Sequence, residues 1–141
     1  MAGVNVVAGA LSAVWLGMVL AISFVEAPVK FRAPGVTLPI GLAIGRRVFA
    51  ALNRIEIALA AAIVLAAALG ARPPVLAAAG VVAIAALAIQ LVAVRPALTR
   101  HSDRVLAGET GQPRSHAHHT YIGLELVKVA ALLMVAVTAL W

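Results

Sequence analysis

The chain has 141 residues, of which 64% are hydrophobic and 11% are charged. Soluble domains average about half apolar and about a quarter charged residues, so this composition excludes a water-soluble globule, a disordered tail and a nucleic-acid-binding domain. Cysteine is absent, which excludes disulfides, thiolate metal sites and cysteine nucleophiles. An integral membrane protein remains, and at roughly 20 apolar residues per span the length allows four or five helices at most.

Four apolar stretches predict an all-α fold, an integral membrane four-helix bundle that forms a single domain over residues 1–141. The spans are expected at about residues 4–25, 46–69, 75–95 and 119–140. The second stretch is free of polar residues only at 57–69, which is too short to cross a bilayer. It must therefore begin earlier and bring Asn53, Arg54 and Glu56 into the membrane.

The connections between the spans differ in character. Residues 26–45 contain three prolines and three glycines, and their apolar content predicts a re-entrant or interfacial segment after Pro28 ends or kinks the first helix. Residues 96–117 are more polar, with a short surface helix predicted at 98–106. The first apolar stretch lacks a basic leader and a small-residue cleavage site, so it is expected to be a permanent helix.

The basic residues predict the orientation. Of the 11 lysines and arginines, all but Arg72 lie in or beside the connections that follow the first and third spans. Under the positive-inside rule this end is cytoplasmic, and the N-terminus and C-terminus both lie on the non-cytoplasmic side. We expect a multi-pass protein of the bacterial cytoplasmic (inner) membrane. Its basic end should attract anionic lipid headgroups, whereas the absence of an aromatic platform argues against nucleic acid.

Ionisable residues inside the spans form a layer below the cytoplasmic face. By the helical rise, Glu56 lies roughly 21 Å and Lys128 roughly 20 Å from the far ends of their spans. An ionisable group in a bilayer is costly unless it faces the bundle interior and finds a partner. These matched depths predict an ion pair between Glu56 and Lys128, and a second pair between Glu125 and Arg54.

The polar layer favours a ligand pocket that opens to the cytoplasm. The predicted ligand-binding residues are Glu26, Asn53, Glu56, Gln90, His118, Tyr121, Glu125 and Lys128. The ligand would be small and polar or amphipathic, in a binding or transport role. Four helices are few for a monomeric carrier, so this interpretation predicts a homo-oligomer. An alternative is an accessory subunit in which the polar layer is purely structural and fixes helix register.

A membrane oxidoreductase that acts on a quinone-like or phenolic substrate is the enzymatic alternative. Glu125 or His118 would then act as the base, Tyr121 would orient the substrate and Lys128 would stabilise a phenolate. A metal site is a weaker hypothesis. His116 and His119 are three residues apart and can share one helix face, but no established ligand spacing is present. No catalytic residue, metal or cofactor is assigned from the sequence.

Two segments resemble known membrane proteins. The runs WLGM and SFVEAPVKF within residues 15–31, followed by IGRRVFAALNRIE at 44–56, are similar to a group of small four-helix bacterial membrane proteins. In layout they distantly resemble the anthrone oxygenase-like family. The shared features are Pro28, Asn53, the Arg95-Pro96 exit from the third helix, and a histidine, 118 or 119, at the start of the fourth. The resemblance implies a four-helix membrane fold and, by extension, cofactor-independent oxidation of a polycyclic phenol.

Overall fold

The computed structural model describes residues 2–70, 73–108 and 116–141, with residues 2 and 116–118 described by their backbone alone. These ranges form four long helices: α1 at residues 2–30, α2 at Leu38–Leu69, α3 at Pro74–Leu106 and α4 at His116–Leu140. Each contains a segment long and apolar enough to cross a membrane, and the described ranges contain no strand. The predicted all-α, four-helix membrane fold is confirmed.

The helices pack in the order α2, α1, α4, α3 around the bundle. The closest packing is of α1 and α3 against α4, then of α1 against α2, whereas α2 and α3 touch at few points. Trp15, Val19, Ile63 and Leu132 belong to the buried core between them. Side chains in such a core hold helices together by close packing, because lipid is as apolar as they are.

The two ends of the bundle differ in chemistry. At the far end, Gly9 lies against Leu140, and Gly70 lies against Val4. At the opposite end, α1 ends at Lys30 and α2 begins at Leu38. We call this second end the polar end. It is the end that the basic residues predict to be cytoplasmic.

Helix α2 extends beyond the predicted second span. It starts at Leu38 rather than near residue 46, so most of the predicted re-entrant segment is helical or lies in the turn at 31–37. The hydroxyl oxygen of Thr37 accepts a hydrogen bond from the backbone N–H of Ile40 at 3.4 Å, and a proline occupies the first helical turn. Both features stabilise a helix start at this point.

Prolines place a π-helical segment in α1 and another in α3. The segments are Leu20–Glu26, just before Ala27–Lys30, and Gln90–Val94, just before Arg95–Leu106. In each, the residue before the proline donates its N–H to a carbonyl five residues back. Proline lacks an N–H and clashes with the carbonyl four residues back, and a wider turn relieves that clash. Consequently Pro28 does not end α1, and the predicted surface helix at 98–106 continues α3.

Candidate functional site

Lys128 lies at the centre of a buried polar network between the helices. Its Nζ atom lies 2.5 Å from Glu56 Oε1, 2.6 Å from Glu125 Oε1 and 2.8 Å from Gln90 Oε1. The exposed fraction is 0% for Glu56 and Lys128, and 1% for Glu125 and Gln90. The three N–H groups of the ammonium therefore have three acceptors, all inside the protein.

Side chains from α1 and α3 complete the network. Trp15 Nε1 donates to Glu56 Oε1 at 2.9 Å, and Ser23 Oγ donates to Glu125 Oε2 at 2.7 Å. Gln90 Nε2 donates to Glu125 Oε1 at 2.6 Å. All four helices thus contribute to one set of contacts. We call this set the charged cluster: Trp15, Ser23, Glu56, Gln90, Glu125 and Lys128.

Helical spacing brings these residues to the interior. Glu125 and Lys128 are three residues apart and share a face of α4, which continues into buried Leu132 and Val135. Each of the two π-helical segments supplies one residue of the cluster: Ser23 from α1 and Gln90 from α3. π-helical turns occur frequently at functional sites because they redirect side chains that a regular helix would turn elsewhere.

The cluster has more carboxylates than cations. Glu56 and Glu125 both contact the single ammonium of Lys128. The second oxygen of Glu56, Oε2, is buried and has no hydrogen-bond partner among the described residues. A buried charge is tolerated only when it is paired and its remaining lone pairs are satisfied. This carboxylate oxygen is therefore the point at which the cluster is chemically incomplete.

An aromatic layer follows the cluster toward the polar end. It consists of Phe49, Arg95 and Tyr121. The rings of Phe49 and Tyr121 meet edge to face, with centroids 5.7 Å apart and an interplanar angle of 89°. The Arg95 guanidinium lies 6.0 Å from the Phe49 ring centroid. By helical rise Tyr121 lies about 6 Å from Glu125, four residues along α4. Phe49 and Tyr121 each lie about 10 Å from a deeper cluster residue, Glu56 or Lys128, seven residues along the same helix.

The Tyr121 hydroxyl is also unsatisfied. It is buried and no described residue meets hydrogen-bond geometry with it. The carboxylates of Glu125 and Glu56 act on it electrostatically, and the Arg95 guanidinium approaches it both as a positive charge and as a hydrogen-bond donor. The backbone carbonyl of Tyr121 accepts a hydrogen bond from Gln90 Nε2 at 3.4 Å. Gln90 thereby connects the aromatic layer to the charged cluster.

The predicted ion pairs have opposite outcomes. The pair between Glu56 and Lys128 is confirmed. The pair between Glu125 and Arg54 is wrong, because Glu125 pairs with Lys128 and Arg54 is exposed. Arg54 is two residues from Glu56, which turns it by about 200° to the other side of the helix. The predicted pairing of Glu56 with Lys128 by depth is correct, whereas Arg54 faces outward and not toward the bundle interior.

The other predicted ligand-binding residues are dispersed. Asn53 is buried on the inward face of α2 and forms no hydrogen bond with a described residue. Glu26 is half-buried and pairs with Lys30 at 3.5 Å, outside the cluster. The side chains of His116 and His118 lie outside the described residues, and His119 is exposed. The described side chains contain no group of three or more metal-ligating residues.

The sequence prediction missed two members of the cluster, Trp15 and Ser23. The indole N–H of Trp15 is a donor in the middle of an apolar span, and a buried tryptophan usually finds an acceptor. The hydroxyl of Ser23 is likewise a donor within the first apolar stretch. In both cases an unsatisfied donor in an apolar span was the available signal.

Comparison with protein-family models, curated proteins and solved structures finds no match for this chain. In this multi-pass membrane protein, the charged cluster and the aromatic layer are the features from which a function can be inferred.

Proposed function

We propose that this protein of the bacterial cytoplasmic membrane has a binding or transport role, in which the charged cluster binds a proton and the polar end takes a small polar or amphipathic ligand. One observation carries the proposal. Two buried carboxylates share one ammonium, and Glu56 Oε2 lacks any partner among the described residues. A proton on this oxygen would remove the excess negative charge of the cluster.

The burial of the cluster favours a proton over a larger solute at this point. Glu56 and Lys128 are fully buried, so a solute would have to displace existing contacts, whereas a proton requires no space. Ser23 and Glu26 support a proton route to the polar end. Ser23 donates to Glu125, and Glu26 follows Ser23 by one helical turn with a buried, unpartnered oxygen of its own. Chains of hydroxyl and carboxyl groups can relay protons when water bridges the gaps.

Two buried polar residues between the charged cluster and the polar end support a ligand site. The Tyr121 hydroxyl is buried and forms no hydrogen bond with a described residue, and Asn53 is a buried amide on the same side of the cluster. Buried polar groups normally have partners, and a bound ligand or water would supply them. Transport by this route would use several copies of the chain, and anionic headgroups would bind the basic residues at the polar end.

A structural role is the second candidate. It is favoured by the observation that all three N–H groups of Lys128 are already satisfied within the protein. Such a network would fix helix register and depth in an accessory subunit. The two candidates differ in one property, because a purely structural network does not need to exchange a proton in the folded state.

Trp15 provides a direct test. The chain has two tryptophans, so W141F leaves Trp15 as the single emitter, and Trp141 is fully exposed. In lipid nanodiscs, Trp15 emission should change with pH in one step, because its N–H bonds more strongly to a charged carboxylate than to a neutral one. The step should vanish in W141F/E56Q and persist in W141F/D103N, which removes an exposed carboxylate. Emission independent of pH, or an unchanged step in W141F/E56Q, would favour the structural role.

A further inference from the structure

We propose that the aromatic layer binds the carboxylate of a small amphipathic aromatic anion, with Arg95 and Tyr121 as the groups that hold the carboxylate. This inference rests on the proposed function, because it names the class of ligand that the polar end takes. Two unused donors carry it. Arg95 forms no ion pair with a described residue. Tyr121 is 7% exposed, and its hydroxyl has no hydrogen-bond partner among the described residues.

The donors determine the charge of the ligand. Guanidinium has N–H donors and no acceptor, and its planar fork matches the two oxygens of a carboxylate. A phenolic hydroxyl beside it adds a third donor. A cation would be repelled by Arg95, and a neutral solute would leave the guanidinium charge without a counterion. An anionic oxygen pair satisfies both residues.

The surroundings determine the apolar part of the ligand. The rings of Phe49 and Tyr121 form an edge-to-face pair at 5.7 Å, and Phe49 is half-buried. Such a corner offers a face and an edge against which another ring can pack. The layer thus offers the Arg95 guanidinium to the charged part of a ligand, and the rings of Phe49 and Tyr121 to its aromatic part.

The packing of the helices offers a route from the bilayer. Phe49 belongs to α2 and Arg95 to α3, the neighbouring pair with the least contact in the described structure. The ion pair between Arg46 and Asp103, at 2.8 Å, also spans these helices nearer the polar end. Its side chains are 39% and 58% exposed, so they can separate into water without becoming buried charges. An amphipathic anion can therefore enter sideways between α2 and α3.

The anion site and the proton site are connected. Gln90 Nε2 donates both to the Tyr121 carbonyl and to Glu125 Oε1. A carboxylate at Arg95 and a proton in the charged cluster would together amount to a weak acid with no net charge. That combination crosses or occupies an apolar medium at lower cost than either ion alone. Binding of one would then favour binding of the other through Gln90.

The test uses the fact that the chain has a single tyrosine. Protein labelled with 3-fluorotyrosine and held in phosphatidylcholine nanodiscs gives one ¹⁹F resonance, from residue 121. Benzoate should shift this resonance saturably, and its neutral isostere benzamide should not. The benzoate affinity should fall at least about 10-fold in R95Q, which removes the guanidinium charge. It should be unchanged in R104Q, which removes an exposed arginine from the same helix.

The proposal would be overturned by the absence of a saturable shift with benzoate, by equal shifts with benzoate and benzamide, or by an unchanged affinity in R95Q. The benzoate and benzamide comparison uses wild-type protein, so it remains decisive if R95Q does not fold. A shift on replacing phosphatidylcholine with phosphatidylglycerol, lost in R95Q, would assign Arg95 to a lipid phosphate and also overturn it. If Trp15 emission changes with pH but benzoate has no effect, only the anion site is wrong. If benzoate binds but Trp15 emission does not change with pH, the proton proposal is wrong instead.

Discussion

Trp15 and Lys128 donate hydrogen bonds to the same atom, Glu56 Oε1, at 2.9 Å and 2.5 Å. Three helices are thereby joined at one carboxylate oxygen. The other oxygen of Glu56 has no partner among the described residues. Oε1 therefore secures the position of Glu56, whereas Oε2 is the atom at which we propose that a proton binds.

Substitution of Trp15 by phenylalanine should weaken the bundle. W15F removes a hydrogen bond to a charged group, which contributes about 1.5–3 kcal/mol, and leaves a small cavity in the core. Reversible unfolding in mixed detergent and denaturant should show a loss of this size in the free energy of unfolding. W141F is the matched control and should be unchanged, because Trp141 is fully exposed. Equal effects of the two substitutions would show that the indole hydrogen bond contributes nothing.

Removal of the Lys128 charge alone should destabilise the protein far more than removal of the charges of Glu56, Glu125 and Lys128 together. K128M leaves Glu56 and Glu125 buried without a cation, and breaking a buried ion pair costs about 3–5 kcal/mol. In the triple variant E56Q/E125Q/K128M no buried charge remains, so its stability should lie within about 1–2 kcal/mol of wild type. The same unfolding assay compares them. A triple variant as unstable as K128M would mean that hydrogen-bond geometry, not charge balance, dominates the cluster.

Replacement of Gln90 by leucine should separate α3 from the cluster. Gln90 accepts from Lys128 and donates to Glu125, so Q90L leaves buried partners unsatisfied at a cost of about 1–3 kcal/mol. V92A lies in the same π-helical segment and faces outward with 79% exposure. It should change stability by less than about 0.5 kcal/mol. Similar losses in Q90L and V92A would indicate sensitivity of the segment rather than of the amide.

Substitution of Pro96 by alanine should affect the two sites differently. P96A restores a backbone N–H and removes the ring clash, so Gln90–Val94 can return to regular α-helical bonding. Because Gln90 is held by the cluster, the turn must be taken up after it, and Arg95 should rotate away from Phe49. We expect the benzoate response of Tyr121 to be lost while the pH response of Trp15 is kept. Retention of both responses would show that the π-helical turn does not position Arg95.

The pairing of Glu56 with Lys128 could be predicted because charge inside a membrane span has few acceptable positions. Matching the depth of each residue was enough to find the pair. Depth alone does not determine facing, and this is why Arg54 was paired wrongly. The facing of Glu125 follows from its spacing with Lys128, three residues along the same helix.

Other features depended on information that hydrophobic patterns do not contain. Helix α3 is apolar on nearly all sides over Pro74–Ile89, so its periodicity does not indicate which face is inward. The π-helical turns follow from local strain at Pro28 and Pro96, and they change the facing of residues on either side. The start of α2 at Leu38 depends on the Thr37 cap. This cap was hard to recognise because the surrounding segment is rich in proline and glycine.

The measurement that tests the central claim most directly is pH-difference infrared spectroscopy of the protein in nanodiscs. It detects the carbonyl stretch of a protonated carboxyl group and so observes the proton itself. We predict that a buried carboxyl band appears as the pH is lowered, disappears in E56Q and remains in D103N. Identical carboxyl bands in wild type and E56Q, over a pH range in which both remain folded, would contradict proton binding at Glu56.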